Sequence, residues 1–160
     1  MLRRTVYIET TIPSYLAARR SRDLVVAARQ QLTVEWWETR RHAFALSVSQ
    51  VVVDEAAARN RILARQRLAL IKDLPVLEVT DQAERIGSML LKVGPLPPTA
   101  ARDALHIAVA AVHRIDYLLT WNCTHLANAE ISRDIERIIL RTGLVPPRIC
   151  TPEGLMGGTP

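Results

Sequence analysis

Four residues carry side chains from which a metal-binding site could be assembled: Glu9, Glu55, Asp103 and Asn122. Each sits where the local pattern of the chain changes. Glu9 closes a β-branched and aromatic run, TVYI. Glu55 follows the apolar run AFALSV by one helical segment. Asp103 opens the apolar stretch ALHIAVAAV, and Asn122 follows the short run YLLT. Acids on different elements that converge at one sheet edge are what a hard cation needs, because Mg²⁺ and Mn²⁺ prefer oxygen ligands. Such a cation lowers the pKa of a bound water and stabilises the charge of a phosphodiester transition state.

Each residue also has a plainer reading. Glu9 could be a solvent-facing charge where strand meets loop; Thr10 and Thr11 beside it can hydrogen-bond a carboxylate or a water. Glu55 falls between Val51 and Val52 on a helical wheel, on the side of Ile62. An ionised carboxylate on an apolar face needs a partner, and the alternative to a metal is Arg59, four residues on. Asp54 points to the polar side. Asp103 could simply complement a helix dipole. It shares one arc with Arg102, His106, His113 and Arg114, which fits solvent exposure, so both histidines are read as polar-edge residues. Their spacing of seven is not that of a zinc helix. Asn122 fits a turn as well as a ligand set, and His125 fits a capping or packing role.

The positioning elements follow from periodicity. Strands are expected at 5–8, 43–48, 76–79, 116–120 and 148–151. Helices are expected near 14–20, from Asp23 to about 41, from a Ser47 or Ser49 cap through Val51, Val52, Asp54, Glu55 and Ala56, across 59–72, at 82–93, from a Thr99 cap to a tight turn at 114–116, and at 131–141. In the second of these, Leu24, Val25, Ala28, Leu32 and Trp36 keep helical spacing, with Trp37 beside them. If both tryptophans cannot be buried, this helix is expected to serve as a dimer or partner surface. Strands alternating with helices give an α/β protein with a mostly parallel sheet covered on both faces. Such sheets bind ligands at the carboxyl ends of their strands, where Glu9 and Asn122 both fall.

The chain has 160 residues, 49% of them hydrophobic and 23% charged, as expected of one domain with a real core. Its net charge is +5, with arginine far more frequent than lysine, which suits phosphate contact. Aromatic residues make up 4%, which argues against base stacking as the main mode of nucleic-acid binding. Cys123 and Cys150 have no CxxC spacing, so reduced thiols are expected. No signal peptide or membrane span is read, and a cytoplasmic location is expected. All six glycines lie outside the first strand–helix turn, which leaves a nucleotide-binding doubly wound reading without its phosphate loop.

The segments YIETTIPSYL, SVSQVVVDEAA and AARDALHIAVAAVHRIDYLLTWNCTHLAN resemble the PIN domain, and within it the VapC-type toxins of toxin–antitoxin pairs. The resemblance runs from about Val6 to Thr151. It implies a three-layer α/β/α sandwich around a five-stranded sheet, with residues 1–153 as a single PIN-like domain and 154–160 as a loose C-terminal tail. It implies a Mg²⁺- or Mn²⁺-dependent endoribonuclease acting on RNA, a small antitoxin protein as partner, and a homodimer. By position, Glu9, Glu55 and Asp103 take the places of the first three motif acids, and Thr10 or Thr11 that of the small hydroxyl residue after the first. The first-motif acid is Glu here rather than the usual Asp. In the fourth motif Asn122 and His125 stand where an acid occurs in the family, so three formal negatives replace four. The alternative is a non-catalytic RNA-binding or regulatory protein whose metal site is degraded at Asn122.

Overall fold

The computed structural model describes residues 2–157. A parallel sheet of five strands forms its centre: β1 (Thr5–Ile8), β2 (Ala45–Ser49), β3 (Val76–Leu77), β4 (Tyr117–Leu119) and β5 (Arg148–Cys150). Their spatial order is β3-β2-β1-β4-β5, and every pairing is parallel. Val6, Tyr7 and Ile8 have no exposure, as a central strand covered on both faces requires.

Among the described residues, seven α-helices cover the sheet: α1 (Thr11–Ala17), α2 (Leu24–Thr39), α3 (Gln50–Ala57), α4 (Arg61–Ile71), α5 (Asp81–Lys92), α6 (Ala101–Val112) and α7 (Ala129–Arg141). They pack as two groups, α1 to α4 in one layer and α5 to α7 in the other. The chain leaves β1 toward β2 and β3, then returns past β1 to β4 and β5. The strand order therefore switches direction between β1 and β4. The crevice beyond the carboxyl ends of those two strands is where open α/β sheets take their ligands.

The expected elements are present, with shifted ends. Asp23 caps α2 by accepting from the Val26 amide, and Asn128 caps α7 by accepting from the Glu130 amide. Thr99 does not cap α6; it lies in a 3-10 turn, Pro98–Ala100, that leads into the helix. The largest departure is in α2. Leu24, Val25 and Ala28 are exposed, whereas Gln30 and Thr33 are buried. Their polar atoms are satisfied: Gln30 donates to the Arg19 carbonyl and accepts from the Ser21 amide, and Thr33 accepts from Trp121 Nε1. Trp36 and Trp37 are both buried within this one chain, so the reason for reading α2 as a dimer or antitoxin surface falls away.

A 3-10 turn, Glu153–Leu155, docks against α2, where the Leu155 carbonyl accepts from Trp36 Nε1, and Leu155 and Met156 pack on the core. The expected loose tail thus has its first residues placed, and residues 158–160 lie outside those described. Among the described residues, no helix is long and apolar enough to cross a membrane. Both cysteines are free thiols, and burial pushes that of Cys150 up to about 11.

Candidate metal centre

β1 ends at Ile8, and the chain turns directly into α1, which leaves Glu9 in the switch-point crevice at only 4% exposure. A carboxylate this buried needs donors, and the local sequence supplies them. Glu9 Oε2 accepts from the amide and hydroxyl of Thr11 and, at 2.7 Å, from the hydroxyl of Thr120 at the end of β4. The Thr11 hydroxyl oxygen in turn accepts from the Trp121 amide, which fixes the direction of its own proton toward Glu9. Among the described residues, Glu9 Oε1 accepts no hydrogen bond.

Glu55 reaches the same crevice from the last turn of α3. Its Oε1 accepts from Thr10 Oγ1 at 2.7 Å and lies 2.7 Å from His106 Nε2. Its Oε2 faces Arg102, whose guanidinium stands 4.0 Å away. The expected alternative partner, Arg59, occupies a left-handed turn between α3 and α4 and forms no ion pair with Glu55. Burial opposes ionisation of Glu55, but His106, through its hydrogen bond and its electrostatic attraction, the hydrogen bond from Thr10 and the charge of Arg102 together outweigh it and hold the carboxyl below its ordinary value. Thr10 and Thr11 thus serve different carboxylates.

Asp103 sits in the first turn of α6 and makes a separate group. Asn122 Nδ2 donates to Asp103 Oδ1 at 3.1 Å, and His125 Nδ1 lies 2.9 Å from Oδ2. The Asn122 carboxamide oxygen is turned into its own loop, where it accepts from the amides of Thr124 and His125. The two groups are joined through Thr120, whose hydroxyl oxygen accepts from the Asn122 amide while its proton goes to Glu9.

His106, read from sequence as a polar-edge residue, has no exposure at all. On the arc that it shares with Arg102 and Asp103, His106 is enclosed and Asp103 is half-buried in the crevice, while Arg102 stands at the rim, open to solvent. Its Nδ1 lies 2.7 Å from the Tyr7 hydroxyl, itself 2.6 Å from Ser49 Oγ. The sequence does carry one signal: His106 is one helical turn after Asp103, so a site holding Asp103 must lie near it. His113, at the far end of α6, instead bonds the Glu78 carbonyl. Asp116 lies at the opposite end of β4 and is tied to Thr5 and Arg4.

One ligand-capable atom from each of Glu9, Glu55 and His106 lies within 4.8 Å of the others, and Asp103 is not part of that group. Two acids so close in a crevice repel each other and attract a cation. The donor set suits one, since each carboxylate commits one oxygen to hydrogen bonds and leaves the other open. Beside Glu55 lies a cavity of about 470 Å³, lined by Thr10, Ser14, Arg59, Arg67 and Arg102. Arg67 is partly engaged there: it donates to the Ala56 and Ala58 carbonyls at the end of α3.

No family model and no curated protein sequence matches the chain. Solved structures do. The structure of VapC20 from Mycobacterium tuberculosis, a sarcin–ricin-loop-cleaving toxin, superposes with a TM-score of 0.57 at 16% identity, over 89% of this chain and 99% of that one. That of VapBC2 from Rickettsia felis, bound to a DNA fragment from its promoter, superposes with a TM-score of 0.52 at 13% identity, over 92% of this chain and 98% of that one. With its five-stranded parallel sheet, two helical layers and acids at the switch point, this chain has the PIN-domain fold of the VapC structures.

Proposed function

We propose that the protein is a divalent-metal-dependent endoribonuclease and the toxin of a toxin–antitoxin pair. One observation carries the proposal: the buried Glu9 and the half-buried Glu55 share the crevice at the switch point, each with one oxygen free of hydrogen bonds. Glu9 and Glu55 would hold Mg²⁺ or Mn²⁺, and Asp103, with Asn122 and His125 against it, would bind through water or on rearrangement. When bound, the ion supplies an activated water and offsets phosphoryl charge. The chain's own share is to aim Glu9 and Glu55 and to position RNA. Arg59 and Arg102 line the cavity beside Glu55 and suit contact with the phosphate backbone. The likeness to VapC20 and VapBC2 supports RNA as substrate and an antitoxin as partner, and the resemblance to VapC-type toxins adds a homodimer as assembly.

The test is incubation of single-stranded RNA with the protein and Mn²⁺. Cleavage is expected with Mn²⁺, none with EDTA, and none from Asp103→Ala. Cleavage that persists in Asp103→Ala contradicts the proposal.

A second reading, a regulatory or RNA-binding protein with a degraded site, is favoured by the state of Asp103. Both of its oxygens are taken, by Asn122 and His125, where a working ligand would keep one open. RNA binding without Mn²⁺ binding or cleavage identifies this case.

A further inference from the structure

His106 is a fully buried titratable group that the proposed mechanism does not use. Its ring is fully buried, and both nitrogens lie within hydrogen-bonding distance of a partner. The Tyr7 ring meets it edge-on, with centroids 5.7 Å apart, and Tyr7 is itself fully buried in the central strand. Beyond Tyr7 the chain of contacts ends at Ser49, also fully buried, at the junction of β2 and α3. Ser49 occupies the capping position of α3 but makes no capping bond. Its hydroxyl is committed to Tyr7.

The order of protons along this chain follows from its ends. An ionised Glu55 at 2.7 Å requires a proton on His106 Nε2. At the other end, Tyr7 is the hydrogen-bond partner of the Ser49 hydroxyl, so the Ser49 proton goes to the Tyr7 oxygen, the Tyr7 proton goes to His106, and Nδ1 is the acceptor. Every hydroxyl donates once, and each side-chain polar atom from Ser49 through Tyr7 and His106 has a partner.

We infer that His106 is a positioning residue for Glu55: the buried Ser49–Tyr7 chain holds its ring in the Nε2–H tautomer, which fixes Glu55 Oε1 and leaves Oε2 to the cation. The inference rests on the metal-centre reading above. It sets His106 apart from the ligands, although it stands among them. Coordination through Nε2 would remove the proton that bonds Glu55 and reverse both hydroxyls. Partners of this kind, which orient a ligating carboxylate, typically carry about 10–100-fold of metal affinity.

The experiment uses the full chain. In the metal-free protein, long-range ¹H–¹⁵N spectra are expected to show His106 protonated on Nε2; a ring protonated on Nδ1 alone overturns the inference. In Mn²⁺ titrations, Tyr7→Phe is expected to weaken binding by about tenfold or more. His106→Gln, which can still donate to Glu55, is expected to keep more affinity than His106→Leu. Should His106→Leu not fold, Tyr7→Phe decides alone. Unchanged affinity in folded Tyr7→Phe overturns the positioning role and leaves the metal centre standing. So does a nitrogen coordinated to Mn²⁺ in pulsed electron paramagnetic resonance that disappears in His106→Gln, which would make His106 a ligand. A wild type that binds no Mn²⁺ overturns the metal centre itself, and the positioning role with it.

Discussion

Asn122 donates from its side-chain amide to Asp103, and its carboxamide oxygen accepts from the amides of Thr124 and His125 in the loop that follows it. It therefore acts in this structure as a brace between the start of α6 and the end of β4. A side chain that accepts two backbone hydrogen bonds has no free oxygen to offer a cation without opening that loop. Asn122→Asp should tighten Mn²⁺ binding by about tenfold, or about 1.4 kcal/mol, by adding charge to the crevice. The same change should lower metal-free stability by about 1–3 kcal/mol, because Asp103 exchanges a donor for a like charge. Calorimetric titration and urea unfolding of the two proteins check both halves.

Glu9→Gln separates the demands of function from those of folding. A glutamine oxygen can still accept from Thr11 and Thr120, and its amide would face Glu55 as a donor in place of a repelling oxygen. The metal-free variant should melt no lower than wild type, while its Mn²⁺ affinity falls by at least about tenfold, or about 1.4 kcal/mol. A gain in stability on removal of a site residue is the usual sign of strain kept for function. A marked fall in melting temperature would show that Glu9 is there to support the fold.

The pH dependence of stability has a definite sign at Glu55. A carboxyl whose folded-state pKa is depressed contributes stability that is fully present above its unfolded-state value and lost as pH falls through the folded-state value. Glu55 is depressed from 4.5, so its contribution should hold at neutral pH and disappear below that value. Urea unfolding of metal-free wild type and Glu55→Gln at pH 7 and at pH 3 measures it. The difference between the two proteins should be larger at pH 7.

The arginines beside Glu55 should act on RNA through charge alone. Arg102→Ala and Arg59→Ala are each expected to weaken RNA binding about equally across sequences. Each should also reduce the slope of log affinity against log salt by about 0.7 for every phosphate that its guanidinium neutralises. Filter binding at several salt concentrations reads this directly. Removal of Arg102 also takes a cation from 4.0 Å off Glu55, so Mn²⁺ affinity should rise slightly in that variant.

Much of this arrangement is legible in the chain. The β-branched runs mark the strands, and alternation with helices gives a parallel sheet whose carboxyl edge must hold Glu9 and Asn122. Period and type do not say what a helical arc faces. Arg102, Asp103 and His106 lie on one side of α6 by spacing alone, but only the packed structure shows that this side closes over Tyr7 and Glu55. The same gap explains α2. Its apolar spacing suggests burial of Leu24 and Val25, whereas Gln30 and Thr33 take the inner face because Ser21, Arg19 and Trp121 satisfy their polar atoms there. The split of the acids into a Glu9–Glu55 pair and a braced Asp103 depends on hydrogen bonds to a loop, which no spacing rule reaches.

The central claim is that Glu9 and Glu55 together hold a cation that RNA cleavage requires. The most direct measurement is cleavage of single-stranded RNA as a function of Mn²⁺ concentration, in wild type and in Glu9→Gln and Glu55→Gln, with Mn²⁺ binding followed in the same samples. The account predicts that wild-type cleavage rises with Mn²⁺ occupancy, and that both variants lose binding and cleavage together while remaining folded. Cleavage by wild type in EDTA, or by either folded variant at the wild-type rate, would contradict it.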